Sequence, residues 1–465
     1  MGEGRSILRR GAPALLLVSC LALAALPAPG TAASPPEPDW VITSAVTLDR
    51  TVKDIRANVR IESGGELRMS NSTLVMNCSK DGEFELLIKP GGRLVAHRAN
   101  ITFGPPRAHY WFRVEGSMEL RDSEISGTRG MFDLGGVQIT SSDVSILNCR
   151  LFDHQWFALV INGSSPAVSG CTIDRCKAGI RVENGARPQL TGNTIRDNER
   201  DGITVLSATP VIRDNRLSGN WRGIGLFRSK PEITGNTLSG SGLVGIDCSE
   251  GSDAAISGNT ITGSGQAGIS ILTSSPRIAS NSITSNGVGI NSTSSSCRIE
   301  KNTIAANREW GIFSKGGAPV LEANRYTDPA GNPNGLGAVA TVWTLSVEVV
   351  DSIKKPVPGA TVVVKDRSGN EVFRGATAED GRVPPIELFQ MRSTDGLSSD
   401  VSTPHSLRVT WEDLSSSTEV TMDKDRSIRA QLARGSSGGF IPGAWAVLAI
   451  AAAALALAFA AFRRR

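Results

Sequence analysis

From about residue 170 onward, single apolar positions return at a nearly fixed distance. The Ile or Leu closing each "NTI" triplet falls at Ile173, Ile195, Leu217, Leu238, Ile261, Ile283 and Ile304, at spacings of 22, 22, 21, 23, 22 and 21 residues. Weaker copies run back through Leu151, Ile125, Ile101 and Leu74 at 22 to 27 residues. Each copy, such as "GNTIRDNERDGITVLSATPVI" from Gly192 to Ile212, contains three short pieces with apolar–polar alternation: "N-T-I", "GI-x-V" and "P-x-I". Period two over three to five residues, bounded by Gly, Asn, Ser or Pro, predicts strands. So short a strand cannot bury its apolar side alone, but it can when stacked on identical neighbours about 4.8 Å away. Three strands and three turns in about 22 residues predict the rung of a parallel β-helix, with roughly a dozen rungs inside residues 34–338. The leucine-rich-repeat pattern "LxxLxLxxN" is absent.

Stacking assigns roles to the repeated polar positions. Asn193, Asn215, Asn236, Asn259, Asn281 and Asn302, with Asn324 after them, are expected to form a ladder of side-chain amides along one corner. Gly179, Gly202, Gly223, Gly245, Gly268, Gly289 and Gly311 are expected to permit one bend per rung. From about Ala340 the period stops. Alternating Val and Leu strands follow, separated by "KKPVPGA", "RSGN" and "EDGR", and residues 339–434 read as seven or so strands of a small β-sandwich.

The two ends carry addresses. A basic start (Arg5, Arg9, Arg10), an apolar run from Ala12 to Leu26 and the small residues "PAPGTAAS" predict a signal peptide over residues 1–33. "LVSC", ending at Cys20, resembles a lipoprotein signal, but the apolar run continues past it. Residues 435–442 read as a linker, and 443–462 are uncharged and apolar enough to span roughly 30 Å of bilayer as one helix. The basic tail 463–465 should then stay cytoplasmic, with the bulk of the chain outside the cell.

Charge changes the picture by its location. The first 33 residues carry a net +2 and the closing Arg triplet +3 of a total of +4, leaving about −1 for everything between. No basic footprint for phosphates exists there, so nucleic acid is not an expected partner.

Catalysis on such a frame would use side chains pointing out of one sheet. In "GI-x-V" the outward positions are Arg181, Thr204, Gly225, Asp247, Ser270, Asn291 and Phe313 or Ser314. A hydrolase needs clustered carboxylates, and a lyase needs acids for Ca²⁺ and a basic group. This column offers one acid and one Arg three rungs apart, about 14 Å at the rung spacing. Ca²⁺ would suit a lyase, but no motif asks for it. The early, irregular rungs hold the other candidates, in "RAHYWFR" (Arg107 to Arg113) and "CRLFDHQWFALV" (Cys149 to Val160). There Asp153 and His154 are candidates for proton transfer, Trp111 and Trp156 for sugar stacking, and Arg181, Glu183 and Asp247 for further ligand contacts. Four His residues without His-x-His, a Met cluster or CxxC give no expected metal site and no cofactor. Cys149 and Cys171, 22 residues apart at equivalent positions, leave two arrangements open: a disulfide, or an unpaired inward column. Cys248 reads as core.

The "GNTI … GI … P-x-I" repeat resembles the right-handed parallel β-helix superfamily that includes NosD-type periplasmic proteins and the carbohydrate-binding/sugar-hydrolase (CASH) domains. The resemblance covers residues 55–335 and implies an all-β, right-handed parallel β-helix. "D…PVPGA-x-V-x-V … T-x-x-DG-x-V" resembles carboxypeptidase-regulatory-like sandwiches, which act as spacers. The C-terminus resembles archaeal PGF-type sorting signals, with Pro442-Gly443-Ala444 where that family has Phe after Pro-Gly. Together these imply a surface-anchored protein binding extracellular polysaccharide or an envelope component. The alternatives are a polysaccharide-degrading or -modifying enzyme (lyase, hydrolase or epimerase), and an adhesion or maturation factor with a protein partner.

Overall fold

The computed structural model describes residues 37–131, 134–327, 337–393 and 400–434. The signal peptide expected over 1–33, the linker, the membrane helix at 443–462 and the basic tail lie outside these residues. Among the described residues no helix is long and apolar enough to cross a membrane.

The chain winds as a right-handed parallel β-solenoid of about 13 turns. Each turn gives one strand to each of three sheets, called here the NTI, GI and PxI faces. One full turn runs through Thr194–Arg196, Ile203–Leu206 and Val211–Arg213. The NTI and PxI faces have 13 strands each, all parallel and in register. Their inward side chains stack by type. Ile173, Ile195, Leu217, Leu238, Ile261 and Ile283 stand over one another at 0–1 % exposure, and Ile180, Ile203, Ile224, Ile246, Ile269 and Ile290 do the same on the GI face. Each such side chain contributes about 1.5–3 kcal/mol of burial. Most of that exists only because a neighbouring turn covers it, so the stack is cooperative along its axis.

The repeated glycines serve closeness rather than bending. Gly179, Gly202, Gly223, Gly245, Gly268 and Gly289 are absent from the left-handed residues and lie in or beside GI strands. A Cβ on Gly245 would come within 2.6 Å of the Gly268 carbonyl oxygen and 2.7 Å of Ile261 Cγ2. The bends fall to left-handed residues at the corners, such as Asp197, Ser207 and Asp214 within one turn. Gly245→Ala is therefore expected to destabilise the protein by about 1–3 kcal/mol through overpacking, read as a lower urea midpoint.

The last GI strand, Gly337–Val350, runs on past the solenoid. Residues 337–342 pair in parallel with Trp310–Lys315, residues 339–345 pair antiparallel with Ile386–Ser393, and residues 345–350 pair in parallel with Arg426–Gln431. A separate five-stranded antiparallel sheet contains Thr361–Lys365 and His405–Trp411. A second apolar cluster draws on both sheets, with Leu345, Val347 and Val349 from one and Val362, Val364, Leu407 and Val409 from the other.

Candidate functional site

Three polar columns line the inside of the corners, and they determine which candidate residues face solvent. In the PxI-to-NTI corner Asn215 Nδ2 donates to Asn236 Oδ1 at 2.9 Å and to the Leu190 carbonyl at 2.9 Å, and the Asn215 N–H donates to the same Asn236 oxygen at 2.9 Å. Asn193, Asn236, Asn259, Asn281 and Asn302 repeat the pattern, ending on Asn324. Cys149 and Cys171 continue this column toward the N-terminus. Both are free, buried thiols, and the Cys171 N–H donates to Asn193 Oδ1 at 2.9 Å. Cys248 is a fully buried free thiol as well. A second column of Ser229, Ser252, Ser274 and Ser295 hydroxyls receives backbone N–H groups in the GI-to-PxI corner.

The third column, in the NTI-to-GI corner, contains Asn198, Asn220, Asn286 and Asn307, and at its head Cys176, His154 and Thr128. This corrects one expectation. His154 is 3 % exposed, its Nδ1 accepts the Thr128 N–H at 3.3 Å and contacts the Thr128 hydroxyl, and burial pushes its pKa down to about 3. Asp153 occupies the left-handed bend just before it, φ 53°, and is held outside by Arg107 at 3.3 Å and Arg175 at 3.1 Å. At a corner the bend residue points out and the next points in, so the two are not a working proton-transfer pair.

Outside the same corner the early turns place a different Asp and His together. The lengthened rung spacings arise here, from the segments 77–84 and 104–110 and from 127–131 and 134–136, where Gly130–Met131 pairs antiparallel with Leu134–Gly135. Asp81 Oδ1 accepts the His109 backbone N–H at 2.8 Å and faces His109 Nδ1 at 2.9 Å, while Asp81 Oδ2 accepts from Gln155 Nε2 at 2.8 Å. Arg129 donates to the Asp81 carbonyl and lies 5.1 Å over Trp111. Burial opposes ionisation of Asp81, but hydrogen bonds from the His109 backbone and ring outweigh it and hold the carboxyl below its usual pKa. The His109 ring is 5.5 Å from Phe103 and stacked on it. A carboxylate at Nδ1 fixes an imidazole so that its other nitrogen can exchange a proton with a ligand.

Further along this edge Lys177 Nζ lies 4.6 Å and Arg200 Cζ 5.8 Å from the Trp156 ring. The remaining candidates are paired on the GI face. Arg181 binds Glu183 at 2.7 Å, both side chains being 14 % exposed. Asp247 binds Arg222 at 2.9 Å, and Arg222 also binds Asp201 at 2.9 Å. The outward column is confirmed in register through Asn291 and Phe313. Gly225 leaves the gap beside Asp201 that the Arg222 guanidinium fills, since a Cβ there would meet Asp201 Oδ2 at 3.1 Å. The sequence reading singled out the stretches that contain His109 and Gln155 without naming either residue, and it missed Asp81, Arg129, Arg222, Asp201, Lys177 and Arg200. The irregular early spacing is the signal that marks the neighbourhood of Asp81 and Arg129.

No three His, Cys, Asp or Glu side chains among the described residues come together as a metal site. His97 is near Glu119 alone at 3.5 Å, His109 near Asp81, and His154 and His405 are buried.

Among solved structures, a double mutant of the periplasmic alginate epimerase AlgG is similar to the chain at a TM-score of 0.50, 12 % identity, over 60 % of this chain and 78 % of that one. The A-module of the Azotobacter vinelandii mannuronan C-5 epimerase AlgE6 (TM-score 0.44, 14 % identity, 60 % and 91 % covered) and the GH136 lacto-N-biosidase from Eubacterium ramulus (0.40, 12 %, 62 % and 62 %) also match. At such identities the likeness is one of fold. Among curated protein sequences none is significantly similar. The model of the family described as periplasmic copper-binding protein (NosD) matches residues 122–330. Over those residues, less than half of the chain, the parallel β-helix turns are similar to the NosD family model, and among the described residues no three His, Cys, Asp or Glu side chains gather there.

Proposed function

We propose that this chain is an exported β-solenoid that binds acidic extracellular polysaccharide along the outside of its NTI-to-GI corner. Residues 339–434 serve as a carboxypeptidase-regulatory-like sandwich that spaces the solenoid from a membrane anchor at 443–462. The observation that carries this reading is the pair Lys177 and Arg200. They come from adjacent turns, both lie over Trp156, and neither has a carboxylate within ion-pair distance among the described residues. Cations with no carboxylate partner among the described residues, set against an aromatic face, suit the carboxylates and apolar faces of a uronic acid chain. An alginate epimerase of the same fold is in keeping with such a polymer.

A second reading, an enzyme modifying that polymer, is favoured by the Asp81–His109 pair, which has the geometry of an oriented base.

One experiment addresses both. The purified protein is mixed with acidic and neutral polysaccharides, and binding and product release are followed together. The expected result is binding of the acidic polymers only, weakened by salt and lowered at least about tenfold by Lys177→Ala combined with Arg200→Ala, with no product. Product that disappears in His109→Ala would establish the second reading instead. Absence of both binding and product would overturn both readings and point to a protein partner.

A further inference from the structure

We propose that the binding edge ends in an aromatic subsite, Trp221, so that Trp156, Lys177, Arg200 and Trp221 form four consecutive subsites for one linear acidic oligosaccharide lying along the solenoid axis. This rests on the polysaccharide reading above and makes it specific in length and direction.

The four residues occupy the same outer corner on successive turns. The Arg200 N–H donates to the Lys177 carbonyl at 2.8 Å and the Trp221 N–H to the Arg200 carbonyl at 2.9 Å, which fixes their register; the Ala178 N–H, next to Lys177, donates to the Trp156 carbonyl at 3.1 Å. With a rise of about 4.8 Å per turn they extend over about 14 Å. That rise is close to the length of one pyranose unit, so consecutive sugars of an extended chain would meet consecutive turns. Trp221 differs from the other aromatic residues of this edge. It is 52 % exposed, and no cation covers it among the described residues, whereas Trp111 lies under Arg129 and Trp156 under both Lys177 and Arg200.

The next turn explains how so large a ring is held in place there. A Cβ on Gly242 would come within 2.9 Å of Trp221 Cε3, so the indole rests on bare backbone and turns its other face to solvent. Gly265 follows at the same corner, where a Cβ would meet the Gly242 carbonyl oxygen at 2.2 Å. At the register of Trp221 the next two turns carry Leu243 and Gln266, the Leu243 N–H donating to the Trp221 carbonyl at 2.8 Å and the Gln266 N–H to the Leu243 carbonyl at 2.8 Å, so the run of charged and aromatic side chains in this register ends at the indole. In this arrangement the carboxylates of the inner sugars meet Lys177 and Arg200 beside Trp156, and the apolar face of the outermost sugar stacks on the Trp221 indole.

The test titrates the full-length protein with oligouronates of increasing length, from the dimer upward, and with neutral oligosaccharides of equal length. Affinity should rise with each added unit up to the tetramer and then level off. Trp221→Ala should weaken tetramer binding about tenfold and leave dimer binding unchanged, and Trp221→Phe should restore most of the loss. Because Trp221 is half exposed, the thermal midpoint of both variants should match the parent, which separates lost contact from lost fold. Oligouronate binding that neither depends on length nor responds to Trp221→Ala would overturn the subsite and leave the proposed function standing. Failure of every acidic chain, long or short, to bind would overturn both.

Discussion

Asn259→Ala is expected to lower the unfolding free energy by about 4 kcal/mol, which is a large share of the about 5–15 kcal/mol typical of folded proteins. Asn259 Oδ1 receives the Asn236 N–H at 2.8 Å and Asn236 Nδ2 at 2.9 Å, and Asn259 Nδ2 donates to the Ile233 carbonyl at 2.9 Å and to Asn281 Oδ1 at 3.0 Å. Alanine removes these four bonds and a fifth, from Nδ2 to the Ser257 carbonyl at 3.1 Å, in a corner where Asn236, Asn259 and Asn281 are at most 2 % exposed. The Asn236 N–H and the Asn281 and Ile233 oxygens lose partners that water cannot replace, and each such buried group costs about 1–3 kcal/mol. The exposed neighbour Thr260 tests the attribution, since Thr260→Ala should change stability by only about 0.5 kcal/mol. Urea melts of the two variants give the comparison. Equal midpoints would mean the ladder contributes nothing beyond its backbone.

The second large effect is acid sensitivity centred on His154. Its folded pKa is near 3, driven down first by burial, against about 6.5 in the unfolded chain. The unfolded state therefore takes up a proton that the folded state refuses. Stability is complete above about pH 6.5, falls as pH drops below that value, and stops falling near pH 3. Over the whole window the loss approaches about 4–5 kcal/mol. Asp81 and Asp174, whose carboxyls are held below their usual pKa, lose stability only at still lower pH, so the interval from about pH 6.5 to 4.5 isolates the histidines. His405, also buried with a depressed pKa, contributes in the same direction. His154→Asn places in this column the amide that Asn198 and Asn220 already use, and it should flatten the stability profile across that interval. A surface histidine would leave the profile of the variant and the parent parallel.

Much of the frame was legible in the chain. The spacing of Ile195, Leu217 and Leu238 contains the turn length, and the recurrence of Asn two positions before each contains the ladder. The same recurrence places Cys149 and Cys171 in that column, which makes their position readable even though their bonding was not. Two features were misread for a common reason. A glycine that recurs once per turn can serve a bend or a close contact, and only neighbouring backbones distinguish them: Gly245 is flanked by the Gly268 carbonyl. Likewise Asp153 and His154 are adjacent in sequence, and one-dimensional proximity suggests cooperation, whereas the corner turns one outward and the other inward.

The sequence by itself determined the three-strand turn, the apolar stacks and the polar corner column, because each depends on a local pattern repeated at a constant period. Tertiary structure alone decided the site. Asp81 meets His109 across 28 residues and Gln155 across 74, and Arg222 joins Asp201 to Asp247 across turns. These meetings depend on how loops of unequal length in the early turns fold against one another. They also depend on a single missing side chain, at Gly225 or Gly242, that leaves room for an arginine or an indole. Neither feature is periodic, so no repeat along the chain announces it.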